Sequence, residues 1–326
     1  MKNRGEAIGR PLRDFTFQFV MFSILNSQLV KAAAREVGFD ACGIAEAAAL
    51  TDEELHLRPW LEGGCHAEMG YMAEHVDMRY DPRLLVPGAR SVISVLLGYK
   101  PSQRIEGKAK IAQYAYGQDY HERVKAMLYR LIAAVREVYP DFDAKPCVDT
   151  VPISDRAWAV RAGLGWRGRN TLLVNPVLGS YCYIGELVTT FEADKYDSPM
   201  ENGCGECRRC VEACPNGCLV PIEGGGYWND ARKCASYHTI ENRAECLPED
   251  VRLSGYAFGC DCCQLVCPYN MRAEAHYQLS DNDKERLESL AEADEATFKK
   301  ATRHLALNRI KFGQWCRNIR SSGGRD

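Results

Sequence analysis

Eight of the cysteines between Cys204 and Cys267 are spaced to hold two iron–sulfur clusters. The first run, Cys204-x2-Cys207-x2-Cys210-x3-Cys214-Pro215, is the bacterial two-cluster ferredoxin pattern, in which three thiolates bind one cluster and the fourth crosses to the other. The return run is Cys260-x2-Cys263-x3-Cys267-Pro268. By the same crossover logic Cys267 completes the first cluster. Cys214, Cys260 and Cys263 then need one more ligand, and Cys234 lies between the runs to supply it. The expected sets are Cys204, Cys207, Cys210 and Cys267 for one cluster, and Cys214, Cys234, Cys260 and Cys263 for the other. A chain so equipped moves single electrons.

Other readings of these cysteines fit the spacing less well. Zinc sites use paired C-x2-C knuckles in fours, which a C-x2-C-x2-C-x3-C-P run does not provide. Disulfides are disfavoured because several of these cysteines sit too close in sequence to pair well, and a chain of 326 residues can bury a core without staples. Cys262 competes with its neighbour Cys263, but Cys263 keeps the C-x2-C spacing. Cys42, Cys65, Cys147, Cys182, Cys218, Cys246 and Cys316 are scattered and read as small buried or incidental residues.

The length suits two domains, or one domain with a cluster insert. The net charge of −3 names no partner, yet residues 299 to 326 hold eight Lys or Arg against Asp326 alone. A basic end on an acidic chain suggests phosphate contact, and equally a solvated helix face. No stretch reaches the roughly 20 apolar residues that span a membrane. Residues 15 to 25, behind Arg10 and Arg13, faintly resemble a signal peptide but lack a small-residue cleavage site and a twin-arginine pair. Met21 is a candidate initiator. Thiolate-bound clusters favour a reducing interior, so a cytoplasmic location is expected.

Periodicity orders the rest. A helix is expected from about Gln28 to Val37 with Gly38 as its stop, then a strand from Phe39 to Ile44. The apolar run Ser91 to Tyr99 reads as a buried strand, Glu122 to Val138 as an amphipathic helix, Ala157 to Ala162 as a short helix, and Ser180 to Thr190 as a strand. The fold class expected is α+β: an N-terminal α/β domain over residues 28–195, a two-cluster ferredoxin-like domain over 196–280, and a basic, partly helical tail over 281–326. Residues 1–27 are poorly predicted.

A free-standing ferredoxin does not need so long a domain ahead of its clusters, so that domain should hold the electron acceptor. No G-x-G-x-x-G opens a helix and no G-x-x-x-x-G-K-[ST] loop occurs, so neither dinucleotide nor P-loop binding is indicated. The dense segment is Val148-Asp149-Thr150 followed by Arg161-Ala162-Gly163-Leu164-Gly165-Trp166. Asp149 falls at a strand end. If desolvated, its carboxyl would have a raised pKa and could give up a proton near neutrality; as an Asp before Thr-x-Pro it equally reads as a turn or cap residue.

From about Gln28 to Asn318 the chain resembles the epoxyqueuosine reductase family, cobalamin-dependent iron–sulfur enzymes acting on the modified wobble base of tRNA. The matching pieces, in order, are Trp60-Leu61-x2-Gly64-x-His66-x-Glu68-Met69-x-Tyr71-Met72, Arg79-x2-Pro82-x2-Leu85-x-Pro87-Gly88-Ala89, Tyr114-Ala115-x-Gly117-x-Asp119-Tyr120-His121, Val148-Asp149-Thr150, the Arg161–Trp166 stretch, Gly179-Ser180-Tyr181, and both cysteine runs. Outside the cysteines it is their shared order and spacing that is specific. Arg169 stands where Lys is common, Cys262 is unusual, and the loop between Cys214 and Cys234 is longer, with Gly224-Gly225-Gly226.

The resemblance implies a cobalamin-binding N-terminal domain, two 4Fe–4S clusters, and Asp149 as proton donor near the cobalt. It implies cobalamin contacts at Arg79 and Ser236, and backbone contacts near Ala112, Leu173 and Ile184. The substrate implied is the anticodon stem-loop of a tRNA, with phosphates met by Arg303, Arg309, Lys311, Arg317 and Arg320. An unidentified low-potential electron donor, a monomeric chain and no membrane partner are expected. Two rivals share parts of this pattern. A reductive dehalogenase would usually carry a twin-arginine signal and needs no basic tail. A pure electron carrier would bind no cobalamin.

Overall fold

The computed structural model describes residues 24–322; Met21 and the signal-like stretch before residue 24 lie outside the described residues. The N-terminal half is built on a four-stranded antiparallel sheet. Its strands are β1 (Ala41–Glu46), β2 (Ser91–Gly98), β3 (Ala144–Cys147) and β4 (Cys182–Thr189), in the spatial order β1-β2-β4-β3. Register pairs Ile44 with Ile93, Ser94 with Glu186, and Cys147 with the same Glu186.

Alternation along the strands divides the sheet into two apolar faces. Ile93, Val95, Tyr183 and Leu187 face one way and are covered by α1 (Ser27–Val37) and α2 (Tyr120–Arg136). Val92, Leu96, Ile184 and Val188 face the other way, against α3 (Asp155–Arg161) and the loops around Leu164, Leu173 and Leu178. Both faces being covered explains why Ser91–Gly98 reads as one unbroken apolar run; every residue in it is buried. The expected helices and strands all form, with ends displaced by up to about two residues. In α1, Asn26 caps the first turn by accepting from Leu29 N, and Gly38 stops the helix in the left-handed region at φ 103°. The buried stripe of α1 is Ser27, Val30, Ala33 and Ala34.

The cysteine-rich segment interlocks with the first domain. The strand Tyr256–Phe258 (β5) pairs in parallel with Lys110–Ile111. Buried Asp261 accepts from Gln113 N at 2.8 Å and from Gln113 Nε2 at 3.2 Å. Ser180 N donates to Asn270 Oδ1 at 2.6 Å, and a Cβ on neighbouring Gly179 would lie 2.0 Å from that same oxygen. The Gly179-Ser180 motif is therefore a docking point for the cluster domain.

Residues beyond 280 are not a solvated tail. Leu287, Leu290, Phe298, Leu305, Leu307, Ile310 and Trp315 close a third core with Ile111, Ile240, Ala257 and Phe258. Within the final helix (Phe312–Ser322), Arg317 is 4% exposed and donates to the carbonyls of His238, Asn242 and Ala244. Charge count hides this core because its apolar residues are spread singly among lysines and acids.

Candidate functional site

Members of the two expected cysteine sets are neighbours. Burial and then nearby Cys204, Cys267 and Cys207 push the Cys210 thiol up to about 11. Cys210, Cys214, Cys234 and Cys263 pack against Cys218 and Leu219, and Cys263 is raised by burial and then by Cys234, Asp261, Cys210 and Cys214. Among the described residues no three such side chains are drawn together into a closed metal site. Cys234 sits at the N-cap of the helix Ala235–Ile240, and Cys267 at the N-cap of Pro268–Arg272. The donor chemistry fits clusters. Iron needs thiolates, and Cys214 is pulled down to about 5 and Cys234 to about 7, in both cases chiefly by a hydrogen bond from Cys218.

Cys218 is thus not incidental. Its sulfur lies 3.3 Å from Cys214 Sγ, and its backbone N donates to that sulfur at 3.3 Å. Cys262 is placed similarly beside Cys260, whose thiol is raised first by their mutual hydrogen bond. Counting C-x2-C spacings misses this, since neither thiol has ligand spacing; the short Cys214-Pro-Asn-Gly-Cys218 turn was the available signal.

A cavity of about 280 Å³ lies between the domains. Tyr99, Tyr114, Leu173 and Ile184 line it from the N-terminal side; Cys234, Ser236, Cys260 and Cys263 line it from the cluster side. Leu173, Ile184 and Ser236, three of the positions implied for cobalamin, therefore share one wall system with the second cysteine set. Ala112 lies beneath it, buried, with its N donating to Phe258 O and its Cβ where a side chain on Gly259 would come within 2.4 Å. Arg79 does not line the cavity. Its Nη2 donates to Tyr71 O at 2.9 Å, and its Nε is buried without a partner among the described residues. The lining mixes apolar side chains and thiols with hydrogen-bonding groups of Arg156, Asn170, Asp261 and Gln264, a donor set that suits a cofactor with an apolar face and polar side arms.

Asp149 occupies the turn after β3 with φ 49°, a left-handed conformation that Asp tolerates better than most residues. It does not stand alone. His121 Nε2 is 2.9 Å from Asp149 Oδ2, and His121 Nδ1 is 2.6 Å from Asp119 Oδ1. Asp119 also caps α2 by accepting from His121 N, so one carboxylate fixes both the helix start and the imidazole. The ring stacks on Tyr120 at 4.0 Å, and Tyr120 stacks on Tyr183 at 4.7 Å and 3°.

This setting reverses the expected shift at Asp149. Burial raises its pKa, but hydrogen bonds from His121 and Tyr120, with the charges of His121 and Arg309, outweigh burial and hold the carboxyl below its ordinary range. His121 moves the other way: burial lowers it, while bonds to Asp149 and Asp119 prevail and raise it. The proton therefore rests on the imidazole, between two carboxylates. Sequence reading named His121 as the end of the Asp119-Tyr120-His121 motif but gave it no role, because a lone histidine carries no pattern; the Asp-x-His step at a helix start was the available clue.

Of the five basic residues expected on phosphates, Arg303, Arg309, Lys311 and Arg320 are exposed. Arg309 also pairs with Glu241 through contacts of 2.6 and 3.0 Å. Arg317 is interior and does structural work. Among the described residues, no helix is long and apolar enough to cross a membrane.

Comparison with known proteins agrees with this arrangement. Residues 79–150 match the family described as "Epoxyqueuosine reductase QueG, DUF1730", and residues 203–270 match the "4Fe-4S double cluster binding domain". The chain is 40% identical over 302 residues to the epoxyqueuosine reductase of Cyclobacterium marinum, covering 90% of this chain and 96% of that one. It is 39% identical to the Gloeobacter violaceus enzyme, covering 90% and 95%. The solved epoxyqueuosine reductase of Streptococcus thermophilus superposes with TM-score 0.80 at 30% identity, over 90% of this chain and 80% of that one. An epoxyqueuosine reductase solved with an epoxyqueuosine-modified tRNA-Tyr stem loop gives TM-score 0.76 at 26% identity, over 90% and 79%. Conserved order, cluster domain and fold together make this chain a member of the epoxyqueuosine reductase family.

Proposed function

We propose that the protein reduces epoxyqueuosine to queuosine at the wobble position of tRNA, in the cytoplasm. The carrying observation is the cavity, lined by Cys234, Cys260 and Cys263 from one side and by Leu173 and Ile184 from the other, in a chain that also holds the bonded pair His121–Asp149. Reduction of the epoxide consumes two electrons and two protons, breaks both bonds to the ring oxygen, releases water and leaves an alkene. The two cysteine sets would hold clusters that could pass electrons singly from a low-potential donor. Leu173, Ile184, Ser236, Ala112 and Arg79 would hold cobalamin, which would supply a metal centre able to accumulate both electrons.

The chain's own residues do the rest. Walls from both domains exclude water and orient the ring. As the first carbon–oxygen bond breaks, the proton resting on His121 moves to Asp149 Oδ2 and Asp149 hands it to the oxygen. General acid catalysis of this kind contributes about 10²- to 10⁴-fold. Exposed Arg303, Lys311 and Arg320 position the stem through its phosphates, which carry no base information. The target base leaves the loop stack to reach the cavity.

The test is anaerobic incubation of cluster-reconstituted protein with epoxyqueuosine-containing tRNA and a low-potential reductant, with and without cobalamin, reading nucleosides by mass spectrometry. Loss of one oxygen only with cobalamin supports the proposal. No conversion with clusters and cobalamin bound moves the case to another reducible substrate, and no cobalamin binding moves it to an electron carrier.

A further inference from the structure

We propose that Glu186 and Asp155 form an internal proton store behind Asp149 that supplies the second proton of the reduction; the proposal rests on the functional reading above. One proton is held by the His121–Asp149 pair. The second must arrive while the tRNA loop covers the mouth of the site, so a source inside the protein is needed.

Glu186 lies in β4, opposite Ser94 of β2 and Cys147 of β3. It shares a strand face with Cys182 and Ile184, which line the cavity. Its side chain is 0% exposed, and neither carboxyl oxygen has a hydrogen-bond partner among the described residues; nor does Ser94 Oγ beside it. An ionised carboxylate cannot be kept in such a place without a partner, so Glu186 carries a proton. Stability does not require it. An apolar residue of the same shape would avoid the cost of burying the carboxyl.

Asp155 opens α3, which packs on this face, and its Oδ1 is likewise buried and unpartnered. The charged and titratable groups around the pair are Cys147 from β3, Arg156 from α3, Asp149 from the preceding loop and Arg79 from the helix Val76–Tyr80. From β2 only Ser94 faces Glu186. Burial first, then Asp149, pushes Asp155 up to about 7 against the pull of Arg156. Cys147 pairs with Glu186 across the register and lies two residues before Asp149, so the strand β3 joins the buried carboxyl to the loop that carries Asp149. A proton passes from the Glu186–Asp155 pair to Asp149 and leaves in the product water, and the store refills from solvent between turnovers. No electron is moved by it.

The test uses the cluster-loaded full chain with Glu186→Gln and Asp155→Asn, with cluster absorption and tRNA affinity confirming the fold. Infrared spectra of the resting wild-type protein at neutral pH should show a protonated carboxylic acid band that shifts in D2O. Glu186→Gln should remove that band; Asp155→Asn should keep it. Both variants should lower kcat about tenfold with KM for tRNA unchanged, and move the alkaline limb of the pH profile to lower pH. Wild-type kcat and an unmoved limb in both variants, or a band absent from the wild type, overturns the proposal. A wild-type protein that shows the band yet leaves the tRNA unchanged overturns the functional reading, and with it the destination of the proton.

Discussion

Replacing His121 with Ala tests the site at its hinge. The imidazole is held by two carboxylates at 2.6 and 2.9 Å, and it is the largest cause holding the Asp149 carboxyl below its ordinary range. Without it, Asp149 keeps its place but loses the group that reloads it. Removing a general acid's proton source should cost about 10²- to 10⁴-fold in kcat/KM, which at 1.36 kcal/mol per tenfold is about 3 to 5 kcal/mol of barrier. The pH profile should also change. In the wild type, His121 is raised above 6.5, so activity falls as pH climbs through that raised value. In His121→Ala only Tyr120 and Arg309 still oppose burial, so the Asp149 pKa moves up and the carboxyl itself holds the proton in acid. The residual activity should therefore grow as pH falls. Stopped-time conversion of epoxyqueuosine tRNA across pH, with urea midpoints alongside, reads both effects. Stability should show the same linkage. The ion pair stabilises the fold between the depressed pKa of Asp149 and the raised pKa of His121, and that part is lost as pH falls through the first or rises through the second. A wild-type rate, or a profile lowered in parallel at every pH, would refute the pairing.

Other substitutions probe separate parts. Asp149→Asn should retain clusters and tRNA binding and lose about 10²- to 10⁴-fold in turnover; near wild-type turnover removes Asp149 from the mechanism. Cys234→Ser should halve the iron of the double-cluster domain, whereas Cys262→Ser should leave it unchanged and alter only the spectrum of the second cluster; equal iron loss in both would reassign the ligand. Affinity for tRNA should fall steeply with salt, and Lys311→Ala and Arg320→Ala should each flatten that dependence by somewhat under one unit of slope. Arg317→Ala should leave the slope alone and cost about 1 to 3 kcal/mol of stability, because buried carbonyls of His238, Asn242 and Ala244 lose their donor. Gly259→Ala should cost about 2 to 4 kcal/mol, since φ is 68° and the new methyl would lie 2.4 Å from Ala112 Cβ; chemical denaturation checks it.

Much of the scaffold was legible because its signals are local. An unbroken apolar run such as Ser91–Gly98 means a strand covered on both faces, and Gly38 marks a helix end because few other residues accept its φ. The C-terminal core was not legible, because Phe298, Leu305 and Trp315 are single apolar residues in a charged stretch and only their meeting in space makes a cluster. Arg317 was misread for the same reason: side-chain identity gives charge, while burial decides whether that charge meets a phosphate or a carbonyl.

The sequence by itself determined the cluster chemistry. Runs of closely spaced thiols are a local signal, so spacing alone marks Cys204, Cys207, Cys210, Cys214, Cys260, Cys263 and Cys267 as candidate ligands. Tertiary structure decided protonation. Asp149 and His121 are 28 residues apart, and Glu186 and Ser94 meet only across a strand register. A pKa depends on which partners and how much water surround a group, and those are set by folding, not by neighbours in the chain.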